Sequence, residues 1–293
     1  MLKYYLTYIL FVFVTGTVLA QSDKLGYGFR AGLNLSEYDG PSEIGPNGET
    51  LETNDLASGF HIGMNVIYKF GDLMGLRGEF MYSQRGTDYK YTGPSYYVLG
   101  RNTIDEVKIQ GTRTQTINVS NAFLDIPITL YYRIKGFELS GGFHFGTLIS
   151  SIAGGNLNYL GLSNVTHNPL TPFDITLNYN YKKDAAGEAS TTTQNVNVDG
   201  KIYAIPTSVG AYYDFAEKDK DLYETFDIGL VGGLAFYINE GLYISARYLY
   251  GLGDVDRNEY DISLQALNPD GTYIPRSDEN KSKSWQFSIG FTF

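Results

Sequence analysis

Along most of this chain apolar and polar residues alternate one by one, the two-residue period of a strand whose faces differ in chemistry. The last eleven residues show it most plainly. Trp285, Phe287, Ile289, Phe291 and Phe293 fall on odd positions, with Ser284, Gln286, Ser288, Gly290 and Thr292 between them. The same pattern begins at Leu25, where Tyr27, Phe29, Ala31, Leu33 and Leu35 alternate with Gly28, Arg30, Gly32, Asn34 and Ser36. Six further stretches follow the rule, over residues 57–70, 74–85, 121–134, 137–150, 226–238 and 241–252. Each is long enough to cross a bilayer when tilted, which takes roughly 9–11 residues. Pro127 lies inside one of them and predicts a bulge or a lost ladder bond there.

The connections alternate in length. Turns of about two residues (Gly71-Asp72, Lys135-Gly136, Asn239-Glu240) separate polar interruptions of about 20, 34, 75 and 30 residues. The two ends of the molecule are therefore built differently, and an even strand count returns both termini to one side. An eight-stranded barrel has room inside only for its own side chains. The polar face, with Gly28, Gly32, Gly63, Gly142, Gly229 and Gly233, suits that space; the apolar face is too bulky for it. Turned to water, that face would exceed the apolar patch soluble proteins tolerate. The expected fold is all-β: a transmembrane antiparallel up-and-down β-barrel of eight strands with long extracellular loops. Tyr27, Tyr68, Tyr132 and Phe137 would form one interfacial girdle, and Tyr82, Tyr250 and Trp285 the other.

Residues 86–120 read as a long polar segment, and residues 151–225 as the longest interruption, an extracellular loop with strands of its own. Phe173, Ile175, Leu177, Tyr179 and Tyr181 alternate with polar residues, Asp199-Gly200 marks a hairpin, and residues 203–215 look strand-like. These strands are expected to rise above the membrane as a small external sheet. The alternative is a ten-stranded barrel in which the first and last of them cross.

Of the 293 residues 26 are Tyr and 34 Gly, none is Cys, and the formal charge is −10. Without cysteine there is no disulfide scaffold, thiolate metal site or cysteine nucleophile. The acidic balance argues against a nucleic-acid partner. Lys3, an apolar run to Val14 and the small residues before Gln21 predict a secretory leader over residues 1–20, leaving 21–293 as one barrel domain.

Candidate chemistry is sparse. Arg30, Arg77, Glu79, Arg85, Asp125, Arg133, Glu138 and Arg247 fall on the inward face, with Lys69, Asp227, His61 and His144 beside them. Charges with little water must pair, so these eight are expected to form a structural lumen network. Arg85–Asp125 and Arg133–Glu138 are its readable pairs; a narrow conducting path is the alternative. A surface enzyme would need His61 or His167 at the rim, close to a carboxylate and a hydroxyl, and no catalytic set is assigned. The carboxylates of residues 217–224 and 254–261 lack EF-hand spacing and read as solvated loops, so no metal and no cofactor is expected.

Several short motifs, 29–35 (FRAGLNL), 80–86 (FMYSQRG), 123–128 (FLDIPI), 226–233 (FDIGLVGG) and 246–252 (ARYLYGL), together resemble the PorT-like outer-membrane β-barrel proteins of Bacteroidetes-type bacteria. The terminal strand, ending in Phe293, is similar to the assembly signal of bacterial outer-membrane proteins. The resemblance implies residence in the cell outer membrane, no cofactor and no catalytic residues. The family's namesake supports protein secretion, which implies an accessory role for some members. The long third loop departs from the compact ones. The expected function is structural or binding, with acidic loops presented at the cell surface. Expected partners are outer-membrane lipids and, through the loops, other envelope or secretion proteins, with the chain itself a monomer.

Overall fold

The computed structural model describes residues 24–293 apart from 102, so the expected leader lies outside the described residues. Strands β1 (Leu25–Asp39), β2 (Glu52–Asp55), β3 (Ala57–Lys69), β4 (Met74–Leu99), β5 (Val107–Ile134) and β6 (Phe137–Gly161) come first. The central interruption holds β7 (Phe173–Asn180), β8 (Thr193–Val198), β9 (Lys201–Pro206) and β10 (Ser208–Val209). Strands β11 (Phe226–Tyr237), β12 (Leu242–Gly251), β13 (Ile262–Leu267), β14 (Tyr273–Pro275) and β15 (Lys281–Thr292) complete the order.

Eight of these close a ring: β1, β3, β4, β5, β6, β11, β12 and β15, each antiparallel to the next. The seam is an unbroken ladder from Gly28 opposite Thr292 to Asp39 opposite Lys281, so the ring has no free edge. The ten-stranded alternative fails, because β7 pairs with the far part of β6, at Ile152 to Tyr159, and with the short β10, and does not enter the ring. Alternation places the apolar residues outside, where Leu33, Met64 and Ile289 are each more than 60% exposed. Inside, strands approach so closely that a Cβ on Gly32 would lie 1.9 Å from the Phe287 carbonyl oxygen, which restricts that site to glycine. At Pro127 the β4–β5 ladder loses its pairs at residues 126 and 127 and resumes in the same register. On its other side Pro127 still lies opposite His144. A proline with no N–H to give is tolerated because only one of its two ladders is interrupted.

The expectation for residues 86–120 is corrected. They are strand, apart from the turn between β4 and β5. β4, β5 and β6 run 26, 28 and 25 residues, far more than a bilayer needs. Their outer halves stay paired and, with β7, β10 and β2, form a sheet outside the membrane. Along β5 the alternation continues while its chemistry reverses. Leu124, Ile126, Ile128 and Leu130 face outward in the lower half; Thr112, Thr114, Thr116 and Asn118 face outward in the upper half. The inner face changes in the opposite sense, from Asp125 and Thr129 to Ile117 and Ile109. Lipid wets the lower outer face and water the upper one, so the same pleat needs opposite residues. On β6 a bulge at Ile149 performs the change: Ala122 pairs with Ser150 but Phe123 with Leu148. The inward parity switches there from even (His144, Gly146, Leu148) to odd (Ser151, Ala153, Leu157).

The principal buried apolar cluster therefore lies largely above the bilayer. Tyr97, Ile117, Leu157, Phe173, Ile175 and Leu177 belong to it, and Tyr97, Tyr159 and Phe173 pack with ring centroids 5.0–5.6 Å apart. The hairpin β8–β9 turns on Asp199 and Gly200, both at positive φ, the conformation a two-residue turn of this type demands. The strand expected over 203–215 is shorter than its pattern suggested: β9 ends at Pro206 and only Ser208 and Val209 continue.

Candidate functional site

Every inward charge is placed by strand parity, and three tiers of ion pairs result. Nearest the short turns, Glu138 accepts from Arg77 at 2.7 and 3.0 Å and from Arg133 at 2.8 and 3.2 Å. The Tyr237 hydroxyl donates to the same carboxylate at 3.2 Å, under an Arg133 guanidinium 3.6 Å from its ring centroid. In the middle tier Glu79 takes both Nη groups of Arg247 at 2.9–3.0 Å and one of Arg30 at 3.4 Å. Arg30 also donates to Ser245 and Ser288, each at 2.7 Å. In the upper tier Arg85 spans Asp125 at 2.9 Å and Asp227 at 2.7 Å, with its guanidinium 4.2 Å from the centroid of the Phe123 ring.

The structure brings the eight expected lumen residues together, joins Asp227 of the same inward face to Arg85, and adds Tyr237, which sequence reasoning missed. Its place was readable from the parity of β11. Lys69 is corrected: it lies exposed at the end of β3, outside the network, because the strand ends there and its long stem reaches solvent. Five guanidiniums face four carboxylates, and paired hydrogen bonds hold most of them. The lumen is filled by side chains locked to one another.

Among the described residues none of the three histidines forms an ion pair with a carboxylate. His61 is buried in the lumen, with Nδ1 2.7 Å from Asn34 Oδ1 and Nε2 2.8 Å from Ser288 Oγ. His144 is fully buried with neither ring nitrogen hydrogen-bonded. His167 sits in the loop after β6 at positive φ. Among the described residues no three metal-capable side chains converge.

Above the upper tier lies a floor of hydrogen-bonded and stacked groups. Asn121 donates to the Tyr38 hydroxyl and accepts from Ser151, both at 2.6 Å. Tyr223 packs on Tyr38 and Tyr181 at 6.0 and 4.9 Å. On this floor opens a vestibule of about 220 Å³, walled by Glu52, Tyr89, Asp256, Asp261 and Arg276. Glu52 is held by Arg276 at 2.7 Å and by the Tyr89 hydroxyl at 2.8 Å. Burial pushes the Asp261 carboxyl up to about 6 against the pull of Arg276. Burial likewise pushes Asp256 up to about 7, although Asn280 hydrogen-bonds to it; Asp254 and Asp261 add to the rise. A chamber with protonatable walls and tyrosine flooring can hold polar solutes, and the charge of its walls depends on pH. No motif in the sequence marked it, because its walls come from β1, β2, β4, β5, the central interruption and the last long loop.

Residues 19–257 match a family model described as outer membrane protein beta-barrel domain. No curated protein matches the chain. Similar solved structures include the attachment invasion locus protein Ail of Yersinia pestis, 11% identical, covering 92% of this chain and 98% of that one at a TM-score of 0.34. OprG of Pseudomonas aeruginosa is 13% identical, covering 92% and 95% at 0.31. The outer membrane protease OmpT of Escherichia coli is 9% identical, covering 93% and 98% at 0.29.

Proposed function

The chain belongs to the outer membrane protein beta-barrel domain family, whose place is the cell outer membrane, and on that premise we propose that it is a non-conducting, non-enzymatic barrel carrying a rigid binding head. The observation that carries this reading is the position of the apolar core. A barrel needing only to span the membrane has no use for strands continued far beyond it and packed around Tyr97, Leu157 and Phe173. Such a core fixes a surface and cavities in space, which is what recognition requires.

The stacked ion pairs support a sealed lumen over a channel, and the surroundings of His61 and His144 support binding over hydrolysis. A place beside the secretion machinery, which the PorT-like resemblance implies, is one use of such a head. In planar bilayers the purified protein is expected to show no unitary conductance. In intact cells, a photo-crosslinker at Thr114 on the outer face of the head should capture envelope or extracellular partners, and one at Leu130 on the lipid face should not. Reproducible conductance steps would overturn the sealed-barrel reading, and identical capture from both positions would overturn the binding head.

A further inference from the structure

Of the nine arginines, eight form ion pairs among the described residues. Arg113 is the ninth. It sits on the inner face of β5, opposite Gly93 of β4 and Tyr159 of β6, and is only 6% exposed. Beside it on that face lie Gly111 and the neutral Gln115, and beyond them the apolar Ile109, Ile117 and Val119. Nη1 donates to Gln115 Oε1 and Nη2 to the Tyr96 carbonyl oxygen, each at 3.1 Å, while Nε has no acceptor. Both acceptors are neutral. A guanidinium has five N–H donors in a planar fork suited to a carboxylate, and most of this fork is unused.

The fork lines a cavity of about 130 Å³ inside the head, which adjoins the acidic vestibule across Gln115, Ile117 and Tyr260. Leu157, Ile175, Leu177 and Val209 give it aliphatic walls. The buried hydroxyl of Tyr97, also in the wall, has no hydrogen-bond partner. One carboxylate, Asp214, reaches the cavity, but its Oδ1 lies 2.5 Å from Arg101 Nη2, so its charge is answered there. The balance is one positive charge with no ion-pair partner among the described residues, beside aliphatic walls, in a chain whose net charge is −10. Burying a cation without a counter-ion is costly, and among the described residues no carboxylate pairs with Arg113.

We propose that this cavity is a binding site for a small organic monocarboxylate with one aromatic ring or a short branched chain. The carboxylate takes Arg113 and the Tyr97 hydroxyl, and the apolar body lies against Ile175, Leu177 and Val209. The volume limits the ligand, since a cavity of about 150 Å³ takes up a single benzene ring. An inorganic anion would leave the aliphatic walls unfilled. The inference deepens the binding-head reading and rests on it.

The probe is 4-fluorobenzoate, followed by fluorine NMR on the full chain folded in detergent micelles, with isovalerate as competitor. Saturable binding is expected, with 4-fluorobenzyl alcohol failing to match it. Arg113→Gln should weaken the acid at least about tenfold, the loss of a charge-assisted pair. Leu177→Phe should exclude it by filling the cavity with the arginine in place. Unchanged affinity in Arg113→Gln, equal binding of the alcohol, or no saturable binding of either acid would each overturn the proposal. If Arg113→Gln does not fold, the comparison of acid and alcohol on the unaltered protein decides. Conductance in bilayers tests the sealed barrel separately, so the two ideas fail independently.

Discussion

The lumen is governed by single residues whose loss cannot be shared. Glu79 alone answers both Arg30 and Arg247. Glu79→Gln should destabilise the barrel by about 3–5 kcal/mol, the cost of leaving buried charge unpaired. Urea unfolding in micelles measures it. The triple change of Arg30, Glu79 and Arg247 to Met should cost far less, because no charge is then stranded. Which residues point inward was legible from alternation alone. Arg85–Asp125 and Arg133–Glu138 were also legible as pairs, since they lie on adjacent strands. The Arg30–Glu79 and Arg247–Glu79 contacts were not: they cross the lumen between strands that share no ladder, and a linear pattern carries no information about the far wall.

At the scale of elements, the eight crossing strands follow the sequence pattern closely because lipid on one side and a narrow lumen on the other enforce strict alternation. The head was only half legible. β7 and the β8–β9 hairpin could be read, but residues 86–120 looked polar because Thr112, Thr114, Thr116 and Asn118 dominate the eye while Ile109, Ile117 and Val119 alternate quietly beneath. The signal was a period, and it survived when the mean polarity changed. The last long loop adds a pH response. With the folded pKa of Asp256 raised to about 7, the folded loop takes up a proton that the unfolded one does not bind until the ordinary carboxylate range. Its stability therefore rises as pH falls through 7 towards 4 and is least above 7. Amide exchange over residues 253–280, corrected for intrinsic rates, should be slower at pH 5.5 than at pH 8. Asp256→Asn should remove most of that difference.

For the whole molecule, solvent decides the outside surface twice. The lower band, with Phe29, Phe80, Phe143 and Phe287 exposed, demands hydrocarbon. The upper sheet, with its threonines and asparagines outward, demands water. The purified chain should sediment as one monomer-sized species in micelles and as heterogeneous aggregate once detergent is withdrawn. A single sharp boundary in plain buffer would mean that the band is covered by something else.

Because β4, β5 and β6 are each one uninterrupted strand from the short turns to the far end of the head, the membrane part and the head are two materials in one fabric. No pair of cuts lifts the head off as a contiguous piece, because it is drawn from four separate segments of the chain. Any push on the head must also travel down these three ribbons into the wall of the barrel.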